Sequence, residues 1–323
     1  MSTYLVRRIL QMLPILLFIS VVSFAVMRLA PGDPAQMYAN PQKRVMTVEE
    51  MELIRERLGL NKPIHIQYFI WLKNTLQGNW GYSYKSKAPV LTEVLARLPA
   101  TLLLTGTALA LTLILAIPIG ALSAIRRYSL FDYIVTFTAF IGISMPGFWL
   151  ALVLIDIFSN RLGLVPAVGM QSFGKDFTGL QSVLDVGKHL ILPAIAMGFV
   201  EIAYWARYQR SALLEVMGQD YIRTARAKGL KERLVIWSHA FRNSLIPMIT
   251  LAGLTLPDLV SGAYIIETIF GWPGMGRLGV KSILLRDYPV VMGVTMLSAL
   301  LVVGGSLLAD FLYALADPRI QQG

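Results

Sequence analysis

The stretch LPATLLLTGTALALTLILAIPIGALSAI, residues 98–125, contains no charged side chain. It is 28 residues long, whereas about 20 apolar residues in a helix are enough to cross the hydrocarbon core of a bilayer. The stretch therefore predicts a transmembrane helix. The whole chain has the same character, because 55% of its 323 residues are hydrophobic and 15% are charged, against about 25% charged in soluble proteins. This composition excludes a soluble globular protein and a disordered chain.

Five more apolar runs accompany this one. Three of them are free of charge, and the other two are each interrupted by one acidic residue. We predict an all-α polytopic membrane protein with six transmembrane helices. The first run follows Arg7 and Arg8 but is too long for the apolar part of a signal peptide, so we interpret it as a retained helix. The six predicted spans are residues 9–27, 98–125, 133–155, 189–206, 243–266 and 288–309.

Basic residues are concentrated in the segments on the amino-terminal side of these spans. Those segments hold 13 lysines and arginines against five acidic residues, and so they carry +8 of the net charge of +10. Cytoplasmic segments of membrane proteins carry an excess of Lys and Arg. The distribution predicts that both termini are cytoplasmic, and it explains the basic composition without a nucleic-acid partner. The segments are residues 1–8, 126–132, 207–242 and 317–323.

The predicted outer loop, residues 30–96, contains one clear helix start. Thr47 and Glu50 stand three residues apart, as in a capping box, and apolar residues at helical spacing follow as far as Leu58. Gly59 stands where a left-handed cap would end the helix. We therefore predict a short surface helix in this loop.

The predicted spans divide the chain into two parts. Residues 1–96 hold the first span and the outer loop, and residues 97–316 hold a core of five spans. A cytoplasmic loop at about residues 210–242 interrupts this core between the fourth and fifth spans. Prolines within or at the edges of the core spans predict kinks or breaks, because each removes a backbone donor. They are Pro118, Pro146, Pro193, Pro247 and Pro257.

The sequence lacks motifs for catalysis, metal binding and nucleotide binding. The chain has no cysteine, and its three histidines lack the spacing of a metal site. Residues 274–279 match the glycine pattern of a dinucleotide-binding turn, but they follow a predicted membrane helix instead of a strand. There is no G-x-x-x-x-G-K-[ST] phosphate loop. We therefore expect a protein that is not an enzyme, has no ATPase site and holds no cofactor or metal of its own.

Two acidic residues fall well inside predicted spans. Glu201 and Asp258 lie on the consecutive spans that flank the large cytoplasmic loop. An ionisable group within the bilayer is costly, so it suggests a functional role by default. One interpretation places both residues on a translocation pathway. The other has them bond to backbone groups freed at Pro193 and Pro257, or pair with Arg207.

The cytoplasmic loop between the fourth and fifth spans is long, basic and patterned. Residues 221–228 are mostly fair helix formers, and Gly229 follows them at the position of a left-handed cap. A second apolar pattern, at spacings of three to four, comprises Leu230, Leu234, Trp237 and Phe241. Two short helices broken at a glycine would form a protruding knob. Such a knob could dock onto a soluble partner or lie on anionic lipid, and these residues do not separate the two.

The sequences DYIRTARAKGL at 220–230 and HAFRNSLIP at 239–247 resemble the EAA loop of ABC-importer permeases, in the dipeptide, oligopeptide and nickel group. The general motif has Glu-Ala-Ala before the glycine, whereas this chain has Arg223-Thr224-Ala225 there, a departure typical of the peptide group. Further motifs extend the resemblance to essentially the whole chain and to the first of two permease subunits. They are APGDP at 30–34, GNWG at 78–81, SMPGF at 144–148, LGLVP at 162–166, FGWPGMGRL at 270–278 and RDYP at 286–289.

The resemblance implies a type I ABC importer permease fold and a pore-forming subunit in the cytoplasmic membrane. The implied partners are a homologous second permease, two cytoplasmic ATPase subunits that bind ATP and Mg, and an extracytoplasmic substrate-binding protein. Peptides are the expected cargo, with nickel, glutathione or haem as alternatives, and a secondary transporter is the alternative mechanism. The helix before Gly229 would sit in an ATPase groove and carry the ATP-driven motion into the spans. The coupling residues implied are Arg223, Thr224, Ala225, Arg226, Ala227, Lys228, Gly229 and Leu230.

Overall fold

A computed structural model of the chain describes residues 2–29, 35, 47–57, 59–175 and 177–316, and it leaves out the side chains at 2–9, 250, 253–262 and 308–316. Within these residues every regular element is a helix. Tyr82 and Pro89 form an isolated β-bridge, which is not part of a strand. The predicted all-α fold is therefore confirmed. The motif at 30–34 and Leu58 lie outside the described residues.

The helices follow one another along the chain in this order: α1 (Ser2–Leu29), α2 (Val48–Arg57), α3 (Ile64–Leu76), α4 (Val90–Ile125), α5 (Leu130–Ser144), α6 (Gly147–Leu154), α7 (Leu180–Met217), α8 (Asp220–Ala227), α9 (Arg242–Ile269), α10 (Met275–Leu284) and α11 (Tyr288–Ala316). A π-helical segment, Ile155–Arg161, continues α6. A single turn, Glu232–Leu234, and a second π-helical segment, Val235–Phe241, lead into α9.

Four described helices, α1, α4, α7 and α11, are long and apolar enough to span a membrane. The bent pair of α5 and α6 adds a fifth if it is counted as one span. α9 covers the predicted span at 243–266, but the side chains in its middle are outside the described part of the chain. The count of six spans and the cytoplasmic location of both termini stay predictions.

The third predicted span, residues 133–155, is divided into two helices, so the predicted break at Pro146 is confirmed. α5 and α6 meet at an angle of 105°. The break falls at Met145-Pro146, where Met145 has φ −89° and ψ 126°, because a residue before proline disfavours the helical conformation. By contrast, α4 and α7 continue through Pro118 and Pro193.

The outer loop contains the predicted short helix, and its start is a reciprocal capping box. The N–H of Thr47 donates to Oε2 of Glu50 at 2.9 Å, and the N–H of Glu50 donates to Oγ1 of Thr47 at 3.3 Å. Gly59, just after the helix, has the predicted positive φ, +68°. Both the helix and its cap are confirmed. α3, which follows, was not predicted from the sequence.

The chain forms two compact units, and the first comprises Met1–Thr101 and Pro273–Val303. In this unit the first turns of α4 and α11 pack with α10. Oγ1 of Thr101 accepts a 2.8 Å hydrogen bond from the N–H of Met275. These contacts give the first unit its own core, whose buried residues are Val90, Val94, Met275, Val290 and Val294.

The second unit comprises Leu102–Trp272 and Gly304–Gly323, and α7 is its central helix. Gly120 of α4 lies so close to α7 that a Cβ there would overlap the carbonyl oxygen of Ala206. At 1.5 Å per residue α7 is about 57 Å long, well beyond the thickness of a bilayer. Its last turns therefore continue past the predicted end of the fourth span and carry the segment that follows.

Candidate functional site

α8 is the predicted coupling helix, and one of its sides is fixed to the body of the second unit. Ile222 is fully buried, and Ala225 packs against the same apolar cluster. Burying an isoleucine side chain contributes about 1.5–3 kcal/mol. α8 is therefore held firmly by its apolar side. The other buried members of the cluster are Ala121 and Ala124 of α4, Leu213 of α7, Val235 and Ala240.

α8 ends in a Schellman motif at Gly229. The N–H of Gly229 donates to the carbonyl of Arg226 at 2.9 Å, and the N–H of Leu230 donates to the carbonyl of Ala225 at 3.4 Å. Gly229 has φ +75°, so the predicted left-handed cap is confirmed. No atom lies within 4 Å of the position that a Cβ of Gly229 would take. Within this chain, glycine is required here by the backbone conformation alone.

An ion pair joins the end of α8 to the turn that follows it. The guanidinium of Arg226 donates from Nη2 to Oε1 of Glu232 at 2.8 Å, and from Nε to both carboxylate oxygens at 3.2 Å. These hydrogen bonds raise the pKa of Arg226 and lower the pKa of Glu232. Both side chains remain partly exposed, so the pair contributes modestly, on the order of 0.5 kcal/mol.

The second predicted loop helix is not a separate element. The turn Glu232–Leu234 runs through the π-helical segment Val235–Phe241 directly into α9. A π-helix bonds residues five apart, which brings such residues close to one another along one side. Val235 and Ala240 are five apart, and both are buried. Of the second apolar pattern, Leu230, Leu234 and Trp237 are exposed to 38%, 47% and 44%, whereas Phe241 packs against the apolar cluster.

The outward-facing side chains of α8, of the turn that follows it and of the π-helical segment mix apolar and cationic groups. Large apolar residues exposed to this extent beside charges are typical of protein interfaces. We call this set the coupling surface. Its members are Tyr221, Arg223, Lys228, Leu230, Leu234 and Trp237. Of the remaining predicted coupling residues, Thr224 and Ala227 are exposed, Ala225 faces the cluster and Arg226 holds the ion pair.

A buried carboxylate near the same end of the second unit was missed by sequence reasoning. Asp132 accepts hydrogen bonds from Nε and Nη2 of Arg210 at 2.7 and 2.8 Å. It also accepts from Oγ of Ser123 at 2.5 Å and from the N–H of Tyr128 at 2.9 Å. The group ties α4 and α5 to α7, one turn before Leu213. Its sequence signal is the Ser-x-x-Asp pattern that opens α5, which predicts the cap but not the arginine.

Of the two intramembrane acids, the structure describes the side chain of one. Glu201 is half-buried on α7, and the side chain of Asp258, on α9, lies outside the described residues. Glu201 and Arg207 stand six residues apart on one continuous helix, so their side chains leave it on different sides. The guanidinium of Arg207 lies over the ring of Phe140, 5.2 Å from its centroid.

Two family models match the chain. The model described as binding-protein-dependent transport system inner membrane component matches residues 116–322. The model for the N-terminal part of such membrane components matches residues 1–105. Together the matches cover nearly the whole chain.

The chain is similar to named permeases along its full length. It is 46% identical over 322 residues to the oligopeptide transport system permease protein AppB of Bacillus subtilis (strain 168), covering 99% of this chain and 100% of that one. It is 39% identical to the dipeptide transport system permease protein DppB of Alkalihalophilus pseudofirmus, with coverage of 99% and 100%. A solved inward-facing structure of the MetNI methionine ABC transporter has a TM-score of 0.48 and 18% identity, covering 68% of this chain and 95% of that one.

Proposed function

Since the chain belongs to the family of binding-protein-dependent transport system inner membrane components, we propose that it forms part of the pore of an ATP-driven peptide importer. The names of its oligopeptide and dipeptide relatives support peptides as the cargo. A homologous second permease completes the pore, and an extracytoplasmic binding protein delivers the peptide. The chain is a multi-pass protein of the cytoplasmic membrane with no ATPase site of its own. ATP and Mg are bound by two partner ATPase subunits.

The coupling surface is the part of the chain that docks onto an ATPase subunit. The observation that carries this proposal is the burial of Ile222 together with the exposure of the opposite side of α8. A helix that lies on lipid turns its apolar side to the acyl chains. The apolar side of α8 is already occupied by protein, so a lipid surface is the weaker candidate partner.

The same contacts supply a route for the motion. A displacement of α8 acts through Ile222 on α4 and α7, which both contribute to its cluster. It also acts through the π-helical segment Val235–Phe241, which continues into α9. α8 therefore works as a rigid element that biases the spans between outward-open and inward-open arrangements.

The coupling role is tested by Gly229→Val, with Gly59→Val as the matched control. Both glycines have positive φ and open surroundings, so each substitution strains a helix cap by a similar amount, about 1–2 kcal/mol. We expect Gly229→Val to insert normally but to abolish ATPase association or substrate-stimulated ATP hydrolysis in the reconstituted importer. Gly59→Val should leave both intact. Wild-type transport by Gly229→Val, or equal losses in the two variants, contradicts the proposal.

Glu201 and Asp258 are the candidate pathway residues, since both are acids on spans that flank the coupling loop. We expect Glu201→Gln and Asp258→Asn to assemble normally and to change the transport rate or the preference among charged peptides. A structural role predicts the reverse, with less assembled complex and normal transport per complex. Assembly and transport per complex are therefore measured separately, and unchanged transport per complex in both variants refutes the pathway role.

A further inference from the structure

α3 packs against the part of α1 that lies within the membrane. The apolar span in α1 is Leu10–Leu29, and Ser20 and Phe24 are buried within it. Oγ of Ser20 donates to the carbonyl of Leu17 at 2.7 Å, so it accepts from the hydroxyl of Tyr68, 2.8 Å away. The Phe24 ring lies 5.5 Å from that of Tyr68 and 5.8 Å from that of Trp71.

These contacts indicate how deep α3 lies. Arg28 is the first charged residue after the apolar run of α1. At 1.5 Å per residue, Phe24 lies about 6 Å and Ser20 about 12 Å deeper than Arg28 along the helix axis. Helices that lie in a membrane interface bury their apolar side about 5–10 Å into the boundary of headgroups and acyl chains. The side of α3 that contacts α1 thus lies about 6 to 12 Å deeper than Arg28, which overlaps this range.

The side of α3 that faces away from α1 is also apolar. Phe69 and Leu76 are exposed to 64% and 79%, and Ile66 and Ile70 are exposed on the same side. Such a side facing water would be an unfavourable hydrophobic patch. Lys73 also lies on this side, and a lysine can extend its ammonium group to the headgroups while its stem stays in the apolar layer.

α2, in the same loop, shows what a helix that faces water looks like here. It has Glu49 and Glu50 in its first turn, and Arg55 and Arg57 in its last turn. Leu53 is a large apolar side chain, 66% exposed, among the charged residues of this helix. Its exposed fraction matches that of Phe69, although the surroundings differ.

We propose that α3 is an in-plane membrane helix, whose side bearing Ile66, Phe69, Ile70 and Leu76 contacts the acyl chains of the leaflet at the C-terminal end of α1. In the predicted topology this is the outer leaflet. The partner is the lipid bilayer itself, since α3 continues the lipid-facing surface of α1, which is mostly exposed. The loop between the first two spans is thus partly a membrane element.

The test uses the absence of cysteine from the chain. Phe69→Cys and Leu53→Cys each receive a nitroxide label, in the assembled importer reconstituted into phospholipid nanodiscs. Two collision rates of the label are compared. One is with oxygen, which is more concentrated in lipid than in water, and the other is with a water-soluble nickel chelate. We expect the oxygen-to-nickel ratio to be severalfold higher at position 69 than at position 53.

Two outcomes overturn the proposal. A ratio at position 69 equal to that at position 53 shows that α3 faces water. A label at position 69 that neither reagent reaches shows that a protein partner covers this side of α3. A second pair of variants gives an independent measurement. We expect Phe69→Asp to reduce the amount of assembled complex in membranes severalfold, because an acid among acyl chains is costly, and Leu53→Asp to leave it unchanged.

Discussion

α2 and α8 are short helices that end in the same way but are held differently. Each is followed by a glycine with positive φ, +68° at Gly59 and +75° at Gly229, and neither glycine has an atom within 4 Å of its Cβ position. α2 buries none of its side chains, whereas α8 buries Ile222 completely. The glycine cap is therefore only a way to end a helix, and the buried anchor is what distinguishes the coupling helix.

The ion pairs also attach α8 to its surroundings more than they attach α2. On α2, Arg55 bonds to Glu52 three residues earlier, within the helix itself. α8 has a similar internal pair, Arg223 with Asp220 at 3.4 Å, but its Arg226 also bonds to Glu232 beyond the cap and so ties the helix end to the next element. α8 is consequently attached to its surroundings at its face and at its end. A helix attached in this way transmits a displacement, whereas α2 can shift without disturbing a core.

The largest effect is expected from removing the anchor. Ile222→Ala leaves a cavity in the cluster beneath α8 and should destabilise this region by about 3 kcal/mol. The matched change on α2 is Ile54→Ala, at a half-buried position, and it should cost much less. We expect Ile222→Ala to lower the number of peptides transported per ATP hydrolysed in the reconstituted importer. Equal coupling ratios in the two variants would show that the anchor is not what distinguishes α8.

The second largest effect is expected from the Asp132–Arg210 group, which lies near the cluster that buries Ile222. Asp132→Asn removes the charge that Arg210 contacts and should cost about 2 kcal/mol, the usual range for a hydrogen bond to a charged group. The control is Asp220→Asn on α8 itself, where the carboxylate is 95% exposed. Thermal unfolding of the purified complex should show a clear loss for Asp132→Asn and none for Asp220→Asn. If the two variants unfold together, the Asp132 group does not support the coupling region.

The smallest effect is expected from the ion pair of Arg226 and Glu232. The pKa of Glu232 is lowered in the folded protein, so its contribution is present above the ordinary glutamate pKa, about 4.3, and is lost as the pH falls through the lowered value. A double-mutant cycle of Arg226→Gln and Glu232→Gln should give about 0.5 kcal/mol, unchanged between about pH 6 and pH 8. The pair on α2 serves as the comparison. A coupling energy that falls within this pH interval would mean that another titrating group controls the pair.

Much of the fold could be predicted because membrane spans and glycine caps are local signals. Charge-free runs mark α1, α4 and α11, and the capping box at Thr47 marks α2. The end of α8 at Gly229 was also predicted correctly from the sequence, since a left-handed cap strongly favours glycine. These features depend on a few consecutive residues and on general properties of water and lipid.

The features that were missed depend on partners distant in sequence or on competing patterns. Nothing near Asp132 in the sequence indicates Arg210, which lies 78 residues later. The π-helical segment Val235–Phe241 buries Val235 and Ala240, which stand five residues apart, and an apolar pattern with spacings of three to four does not predict this pair. α3 was not predicted because apolar residues occupy both of its sides, so its sequence lacks the alternation of apolar and polar residues that indicates an amphipathic helix.

The bend between α5 and α6 has a consequence for biosynthesis. α5 has 15 residues and is about 22 Å long, and α6 with its π-helical extension is of similar size, so each is shorter than the roughly 30 Å hydrocarbon core. Both halves pack against α7, and Gly142 of α5 lies close enough to Ala203 that a Cβ would stand 3.0 Å from the Cβ of that alanine. α7 is made after them. We therefore expect the two preceding helices to settle in the membrane only once α7 has been made.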